Sequence, residues 1–246
     1  MPIQTQIFDT DDHVAQAAAK SIANLIRQKP NAVLGLATGS TPVKTYAELV
    51  RLHRQENLSF AKITTFNLDE YWGLDGDHDQ SYRYFMQTHL FDHIDIRPWN
   101  THVPNGKAVD PNLAGEAYET QIRACGGIDL WLLGIGQNGH IAFNEPGSAR
   151  NSRTRQIDLL PDTIEANARF FENKSDVPQT ALTVGIATMF DAQKILLLAT
   201  GKGKADAIQH ALHDQPGTHC PASFLKTHPN CTFLLDQEAG SQINTP

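Results

Sequence analysis

The sequence predicts an α/β fold: a doubly wound, mainly parallel, Rossmann-like sheet with helices on both faces, in one domain spanning residues 1–246. Short apolar runs alternate along the chain with segments of helical periodicity, which is the pattern of strands joined by helical crossovers. The length is that of one large domain, and no shift in composition marks a second. In such sheets, ligands bind at the carboxyl ends of the strands.

The predicted helices are segments in which apolar residues recur every three or four positions. The first ends before Pro30, the second starts at Pro42, and Ser81 is suited to cap the third. The helices are predicted over residues 11–27, 42–50, 81–94, 117–124 and 204–212, and the strands over 32–37, 62–70, 128–136, 194–200 and 231–236. Polar stretches follow four of these strands, so we expect them to gather at one edge of the sheet.

Composition excludes several classes of protein. The net charge is −7 and the 20 Lys and Arg residues are scattered, so no basic surface for nucleic acid is expected. The chain contains no apolar run of membrane-spanning length and no leader-like start. Its 3 cysteines are irregularly spaced, which is typical of reduced thiols. We therefore expect a cytoplasmic protein whose partner is neither nucleic acid nor a membrane.

The loop Thr38-Gly39-Ser40-Thr41 lies between a predicted strand and a predicted helix. Backbone N–H groups, hydroxyls and the helix dipole can hold a phosphate there. The alternative is that Thr41 only caps the helix. Arg169, Lys202 and Lys204 could supply cations to a phosphate pocket, and the sequence leaves open which of the two lysines points inward.

Asp69 and Glu70 are adjacent carboxylates at the end of a strand. Neighbouring residues on an extended chain face opposite sides, so one can enter the cleft while the other anchors the loop. A carboxylate among apolar residues has a raised pKa and suits general-base catalysis. The alternative is a solvated acidic turn.

Gly134, Gly136 and Gly139 match the G-x-G-x-x-G pattern of dinucleotide-binding turns, and Asp158 lies near the distance at which that motif has its acidic residue. The long helix that the motif requires is not predicted, because Pro146 and its neighbours interrupt the segment. We instead interpret the glycines as a tight turn.

That turn would deliver Asn138, His140 and Glu145 into a common cleft. A histidine with a nearby carboxylate can carry out proton transfer, and a buried structural histidine is the alternative. The remaining histidines and cysteines show no metal-binding spacing, and no serine-hydrolase elbow occurs, so no metal site is predicted.

Seven segments together resemble the glucosamine-6-phosphate deaminase family over nearly the whole chain. They are LATGSTP, TTFNLDEYWGL, SYRYFMQTHLFDHIDI, GIGQNGHIAFNEPGS, SRTR, NARFF and ALTVGIATMFDA. The resemblance implies isomerisation and deamination of an amino-sugar phosphate, glucosamine 6-phosphate, to fructose 6-phosphate and ammonia, with no cofactor. It also implies that Asp69 moves a proton between C2 and C1, and that His140 opens the sugar ring with help from Glu145 and Asn138. Phosphate binding falls to the Thr38–Thr41 loop, Arg169 and Lys204.

Two departures from the family qualify these expectations. Some members carry aspartate at the position of Asn138. The amide oxygen of Asn138 is expected to accept the imidazole N–H, but it has no charge with which to stabilise an imidazolium. We therefore expect His140 to be less basic here and ring opening to rely more on Glu145. Longer, regulated members extend past this C-terminus, so we expect a monomer or small homo-oligomer, without activation by an acetylated sugar phosphate. A galactosamine-6-phosphate deaminase, a 6-phosphogluconolactonase and a non-catalytic sugar-phosphate sensor remain as alternatives.

Overall fold

The computed structural model describes residues 3–169 and 171–243 and confirms the doubly wound α/β fold. In chain order, the strands are β1 (Gln4–Phe8), β2 (Val33–Leu36), β3 (Thr64–Asn67), β4 (Asp69–Tyr71), β5 (Thr101–His102), β6 (Leu130–Leu133), β7 (Arg155–Asp158), β8 (Thr180–Thr183), β9 (Ile195–Ala199) and β10 (Cys231–Asp236). The helices are α1 (Asp11–Gln28), α2 (Val43–Glu56), α3 (Tyr82–His89), α4 (Pro111–Ala124), α5 (Pro161–Ala168), α6 (Ile186–Phe190) and α7 (Ala205–His213).

The main sheet has the strand order β1-β10-β9-β6-β2-β3-β5, and every neighbouring pair is parallel. From β2 the chain winds outward to β3 and β5, then returns to β6 on the other side of β2 and continues to β9 and β10. The winding therefore reverses between β2 and β6, which is where doubly wound sheets bind ligands. A second, small antiparallel sheet has the strand order β4-β8-β7. Its strand β4 directly follows β3 of the main sheet in the sequence.

The main sheet has a hydrophobic core on each of its faces, because side chains on a strand alternate between the two faces of a sheet. In β6, Leu130 and Leu132 belong to the core that includes α1 and α2. Trp131 and Leu133 belong to the opposite core, with α4 and α7. The fully buried strands β6 and β9 are apolar at every position, as expected for parallel strands covered on both faces.

The predicted strand over residues 62–70 is divided in two by Leu68. Residues 64–67 pair with β2, after which Asp69 to Tyr71 leave the main sheet and pair with β8. At the division, the Leu68 N–H still donates to the carbonyl of Leu36, at 3.3 Å, whereas the Leu68 carbonyl accepts from Val184 N, at 2.7 Å. The backbone bonds of one residue thus connect the two sheets.

The bounds of α1 and α7 agree with prediction to within one residue, whereas α2 ends six residues later than predicted, α4 begins six residues earlier and α3 ends five residues earlier. Ser81 caps α3 as predicted, accepting from the N–H groups of Arg83 and Tyr84. Pro42 precedes α2 rather than belonging to it, although its carbonyl accepts from Tyr46 N at 2.9 Å. Within the described residues, no helix combines the length and apolarity that crossing a membrane requires.

Candidate active site

The four polar stretches meet at one edge of the structure, as predicted. They follow β2, β3, β6 and β9, which are parallel neighbours in the main sheet, so their carboxyl ends point the same way. The loops after β2 and β6 flank the position at which the winding reverses. The sequence-predicted site residues are distributed over these loops and helix α5.

The loop Thr38–Thr41 is open to solvent ahead of α2. Gly39 has a φ of +96°, a left-handed conformation that favours glycine, and Ser40 is exposed. Among the described residues, no side chain forms a capping hydrogen bond at the start of α2, so the hydroxyl of Thr41 does not serve as the helix cap. A cavity of about 240 Å³ borders the loop and is lined in part by Ser40, Thr41 and Lys204.

The structure distinguishes the two candidate lysines. Lys204 lines the cavity, whereas Lys202 is exposed. Burial lowers the pKa of Lys204, and the positive charge of Arg169, at the end of α5, lowers it further. Two mutually repelling cations beside a hydroxyl loop favour an anion with more than one negative charge.

The same cavity contains residues that the sequence did not indicate. Lys44 lies on its wall and forms ion pairs with Asp11 at 2.7 Å and Asp12 at 2.8 Å. Thr45 also lines it, and its buried hydroxyl has no hydrogen-bond partner within the described part of the chain. The only sequence signal for these residues was their place in the first turn of α2, behind the loop.

Asp69 is buried, with 6% of its surface exposed. Burial raises the pKa of its carboxyl to about 8, and the neighbouring charge of Glu70 adds to the increase. Across residues 3–169 and 171–243, no protein group donates a hydrogen bond to this carboxylate. A carboxyl with these properties is suited to taking a proton from carbon.

Glu70 performs the anchoring role expected of the second carboxylate. Its Oε1 accepts from Tyr82 N at 3.0 Å, and its Oε2 accepts from the Ser81 hydroxyl at 2.9 Å and from Arg83 N at 3.1 Å. The carboxylate therefore occupies the amino end of α3, where the helix dipole favours negative charge. This anchor holds the backbone on which Asp69 is placed.

His140, Glu145 and Asn138 lie together. His140 Nδ1 is 3.2 Å from Glu145 Oε2, and the Asn138 amide donates to the same oxygen at 2.8 Å. Burial acts to raise the pKa of Glu145, but the contacts with His140, Thr163 and Asn138 outweigh it and hold that pKa below the ordinary value.

The expected role of the Asn138 amide oxygen is wrong. That oxygen accepts from the backbone N–H of His140, at 3.2 Å, and not from the imidazole. The imidazole instead faces Glu145, because the turn brings the carboxylate to the side of the ring that bears Nδ1. The negative charge beside His140 is thus supplied by Glu145.

The glycines form a turn rather than a dinucleotide cradle. A Cβ at Gly136 would overlap the ring of His140, and Gly139 has a φ of +83°. No helix starts between β6 and β7 in this described stretch, so the helix required for pyrophosphate binding is not present. Asp158 ends β7 in the small sheet and is exposed.

Two sets of contacts join the parts of the site. Asp69 pairs with Thr183 across β4 and β8, and the Thr183 hydroxyl accepts from Phe143 N, at 3.2 Å, in the turn that carries His140. On the other side, a Cβ at Gly203 would lie 3.3 Å from the Gln137 amide, so the Lys204 turn also touches this loop. The structure therefore brings the predicted acid–base and phosphate residues to one region.

Sequence reasoning missed Thr163, whose buried hydroxyl donates to Glu145 Oε1. Helix α5, which carries it, was not predicted, although Pro161 at its first position is a recognised start signal. Among the residues that the structure describes, no group of three or more His, Cys, Asp or Glu side chains is arranged to hold a metal ion.

Comparison with known proteins agrees with this geometry. Glucosamine-6-phosphate deaminase 1 of Giardia intestinalis is 54% identical over 239 residues, which cover 94% of this chain and 90% of that protein. The solved structure of a monomeric glucosamine-6-phosphate deaminase is 46% identical, with a TM-score of 0.95, and the match covers 97% of this chain and 99% of that one. The 6-phosphogluconolactonase from Trypanosoma brucei shares the fold, at 23% identity and a TM-score of 0.76, over 98% of both chains. The model of the glucosamine-6-phosphate isomerases/6-phosphogluconolactonase family matches residues 9–234, and the chain belongs to that family.

Proposed function

We propose that this protein is a glucosamine-6-phosphate deaminase that converts glucosamine 6-phosphate to fructose 6-phosphate and ammonia. The observation that carries the proposal is the pairing of a buried carboxyl of raised pKa, Asp69, with the His140–Glu145 pair at the same sheet edge. About half of all residues are identical to those of proteins named for this activity. Residues 1–246 would act as one catalytic domain in amino-sugar catabolism, in the cytoplasm.

The phosphate end of the substrate is assigned to the Thr38–Thr41 loop, Lys204 and Arg169. The hydroxyls and backbone N–H groups of the loop would bind the phosphate oxygens, and the two cations would balance its charge. Holding the remote phosphate fixes the reacting carbons relative to the acid–base groups, which removes much of the entropic cost of reaction.

The chemical steps divide between the two remaining parts of the site. His140, with Glu145 beside it, would transfer a proton to the ring oxygen as the C1 hydroxyl loses one, opening the ring. Asp69 would then take the proton from C2 and return it to C1, while a second proton passes from the amino nitrogen to O1, so that the C1 aldehyde becomes a hydroxymethyl group and C2 becomes an imine. The resulting C2 imine adds water and releases ammonia. Ring opening and the transfer between C2 and C1 each use a positioned acid or base, and the sequence of steps requires neither a metal nor an organic cofactor.

The oligomeric state is proposed from the same relatives. The solved deaminase that matches nearly all of this chain is monomeric, which supports a monomer here. A small homo-oligomer is the alternative, and light scattering of the purified protein separates the two.

The test is a side-by-side assay of glucosamine 6-phosphate, its galacto epimer and 6-phosphogluconolactone, with and without a metal chelator. We expect ammonia from glucosamine 6-phosphate at the highest kcat/KM, no effect of chelator, and no lactone hydrolysis. Asp69→Asn should lower kcat by about 10²-fold or more, whereas the exposed control Asp158→Asn should retain activity. Unchanged turnover in Asp69→Asn would contradict the assigned proton transfer.

The pH dependence gives a second test of Asp69. A base must be ionised to accept a proton, and burial raises the pKa of this carboxyl to about 8. Below that pH, kcat/KM should fall about tenfold per pH unit. A flat kcat/KM between pH 6 and 8 would contradict a base whose pKa lies near 8.

A further inference from the structure

The two carboxylate oxygens of Glu145 interact with residues from different parts of the chain. Oε2 faces His140 and accepts from Asn138, both in the same loop as Glu145. Oε1 accepts from the hydroxyl of Thr163, which lies 18 residues further along, in α5. Within the described residues, that hydroxyl is the donor hydrogen-bonded to Oε1. The orientation of the carboxylate thus depends on a helix outside its own loop.

Helix α5 contacts the rest of the site as well. The Asn167 side chain lies close enough to the hydroxyl of Tyr71, two residues from Asp69, to act on the pKa of that hydroxyl. Arg169, at the end of the helix, is close enough to Lys204 to influence its pKa. The 8 residues of α5 therefore contact Glu145 from the first turn of the helix and lead, at its carboxyl end, to the two cations assigned to phosphate binding.

The burial of Thr163 makes its hydrogen bond consequential. The residue is 7% exposed, so water does not readily replace a lost hydroxyl. Without that donor, Oε1 becomes an unsatisfied buried acceptor, and the carboxylate is free to rotate about its last bond. Rotation would move Oε2 away from the imidazole and break the 3.2 Å contact between Oε2 and His140 Nδ1.

We propose that Thr163 is a positioning residue, whose hydroxyl holds the Glu145 carboxylate in the orientation that faces His140. This role rests on the proposed deaminase function, in which the His140–Glu145 pair opens the sugar ring. Thr163 does not itself touch the substrate in this proposal. Its side chain instead transmits the position of α5, and thereby of the phosphate-binding end, to the acid–base pair.

The test compares three variants with the wild-type protein. Thr163→Val removes the hydroxyl at nearly constant shape, and Thr163→Ser keeps it. Thr188→Val is a matched control, because Thr188 is a buried helical threonine that donates to a different carboxylate, that of Glu119. We expect Thr163→Val to lower kcat roughly tenfold to a hundredfold with little change in KM. Thr163→Ser should recover most of the activity, and Thr188→Val should keep wild-type kinetics.

A titration followed by NMR tests the role of Thr163 without any substrate, and therefore independently of the reaction that the protein catalyses. The side-chain carboxyl carbon of Glu145, assigned with Glu145→Gln, is titrated by ¹³C NMR in the free protein. Loss of a hydrogen-bond donor should raise its pKa in Thr163→Val but not in Thr163→Ser or Thr188→Val. If the wild-type protein released no ammonia, the proposed function would fail while this titration still tested Thr163. An unchanged Glu145 titration and unchanged kcat in Thr163→Val would overturn the inference, as would an equal loss of kcat in Thr163→Ser.

Discussion

Replacing Asp69 with asparagine should stabilise the protein while removing its activity. The carboxyl is buried, and its pKa rises from the ordinary 3.8 to about 8. The folded protein therefore holds this proton more tightly than the unfolded chain does. The stability associated with the proton is fully present below pH 3.8 and is lost as the pH rises toward 8. Asparagine has a similar shape and never ionises, so it avoids this loss.

The magnitude follows from proton linkage. At about 1.4 kcal/mol per pKa unit, the ionisable carboxyl costs about 2 kcal/mol of unfolding free energy at pH 5 and about 6 kcal/mol at pH 9. Water reaching the 6% of the residue that is exposed reduces both figures. We therefore expect the advantage of Asp69→Asn to grow by about 2 to 4 kcal/mol between pH 5 and pH 9.

Urea unfolding of both proteins at pH 5, 7 and 9, followed by circular dichroism, measures this difference. Asp158→Asn is the control, because Asp158 is an exposed strand-end aspartate, and its effect should stay within about 0.5 kcal/mol at every pH. A stability difference for Asp69→Asn that is the same at pH 5 and pH 9 would refute the reasoning, since only an ionising buried group produces a difference that grows with pH.

Two further predictions concern packing and the phosphate pocket. Gly35→Ala should destabilise the protein by at least about 2 kcal/mol in urea unfolding, because a Cβ there would overlap the indole ring of Trp131. Gly134→Ala should be close to neutral, because no atom of the described residues lies within 4 Å of its added Cβ, and equal effects would contradict this packing argument. Lys204→Met should raise KM for the sugar phosphate about tenfold or more in steady-state assays, whereas substitution of the exposed Lys202 by Met should leave KM nearly unchanged. A larger increase of KM in Lys202→Met than in Lys204→Met would show that Lys202 binds the phosphate.

The sequence predicts best those elements whose pattern is local. The apolar periodicity of α1 and the continuous apolar run of β9 indicated both elements correctly. In contrast, β1 (Gln4–Phe8) reads as polar and exposed, and it becomes a strand by pairing with β10. The small sheet was also missed, because its strands are short and pair between residues far apart in the chain.

In the candidate site too, features encoded by local sequence patterns were predicted, and features that depend on packing between distant elements were not. Asp69, His140 and the Thr38–Thr41 loop follow strands whose ends were recognisable, so their proximity follows from parallel topology alone. The inward position of Lys204 and the hydrogen bond from Thr163 to Glu145 depend on how α5 and the turn after β9 pack. No local pattern encodes such contacts, and the orientation of the Asn138 amide was mispredicted for that reason.

The backbone of Leu68, which joins the two sheets, immediately precedes Asp69, the proposed base. Asp69 directly follows a residue whose N–H is bonded to one sheet and whose carbonyl is bonded to the other. Any shearing of the antiparallel ribbon against the larger sheet must therefore turn the peptide that precedes Asp69. Mutations in the seam between the sheets can consequently alter the alignment of this carboxylate with a bound sugar while leaving every active-site side chain unchanged.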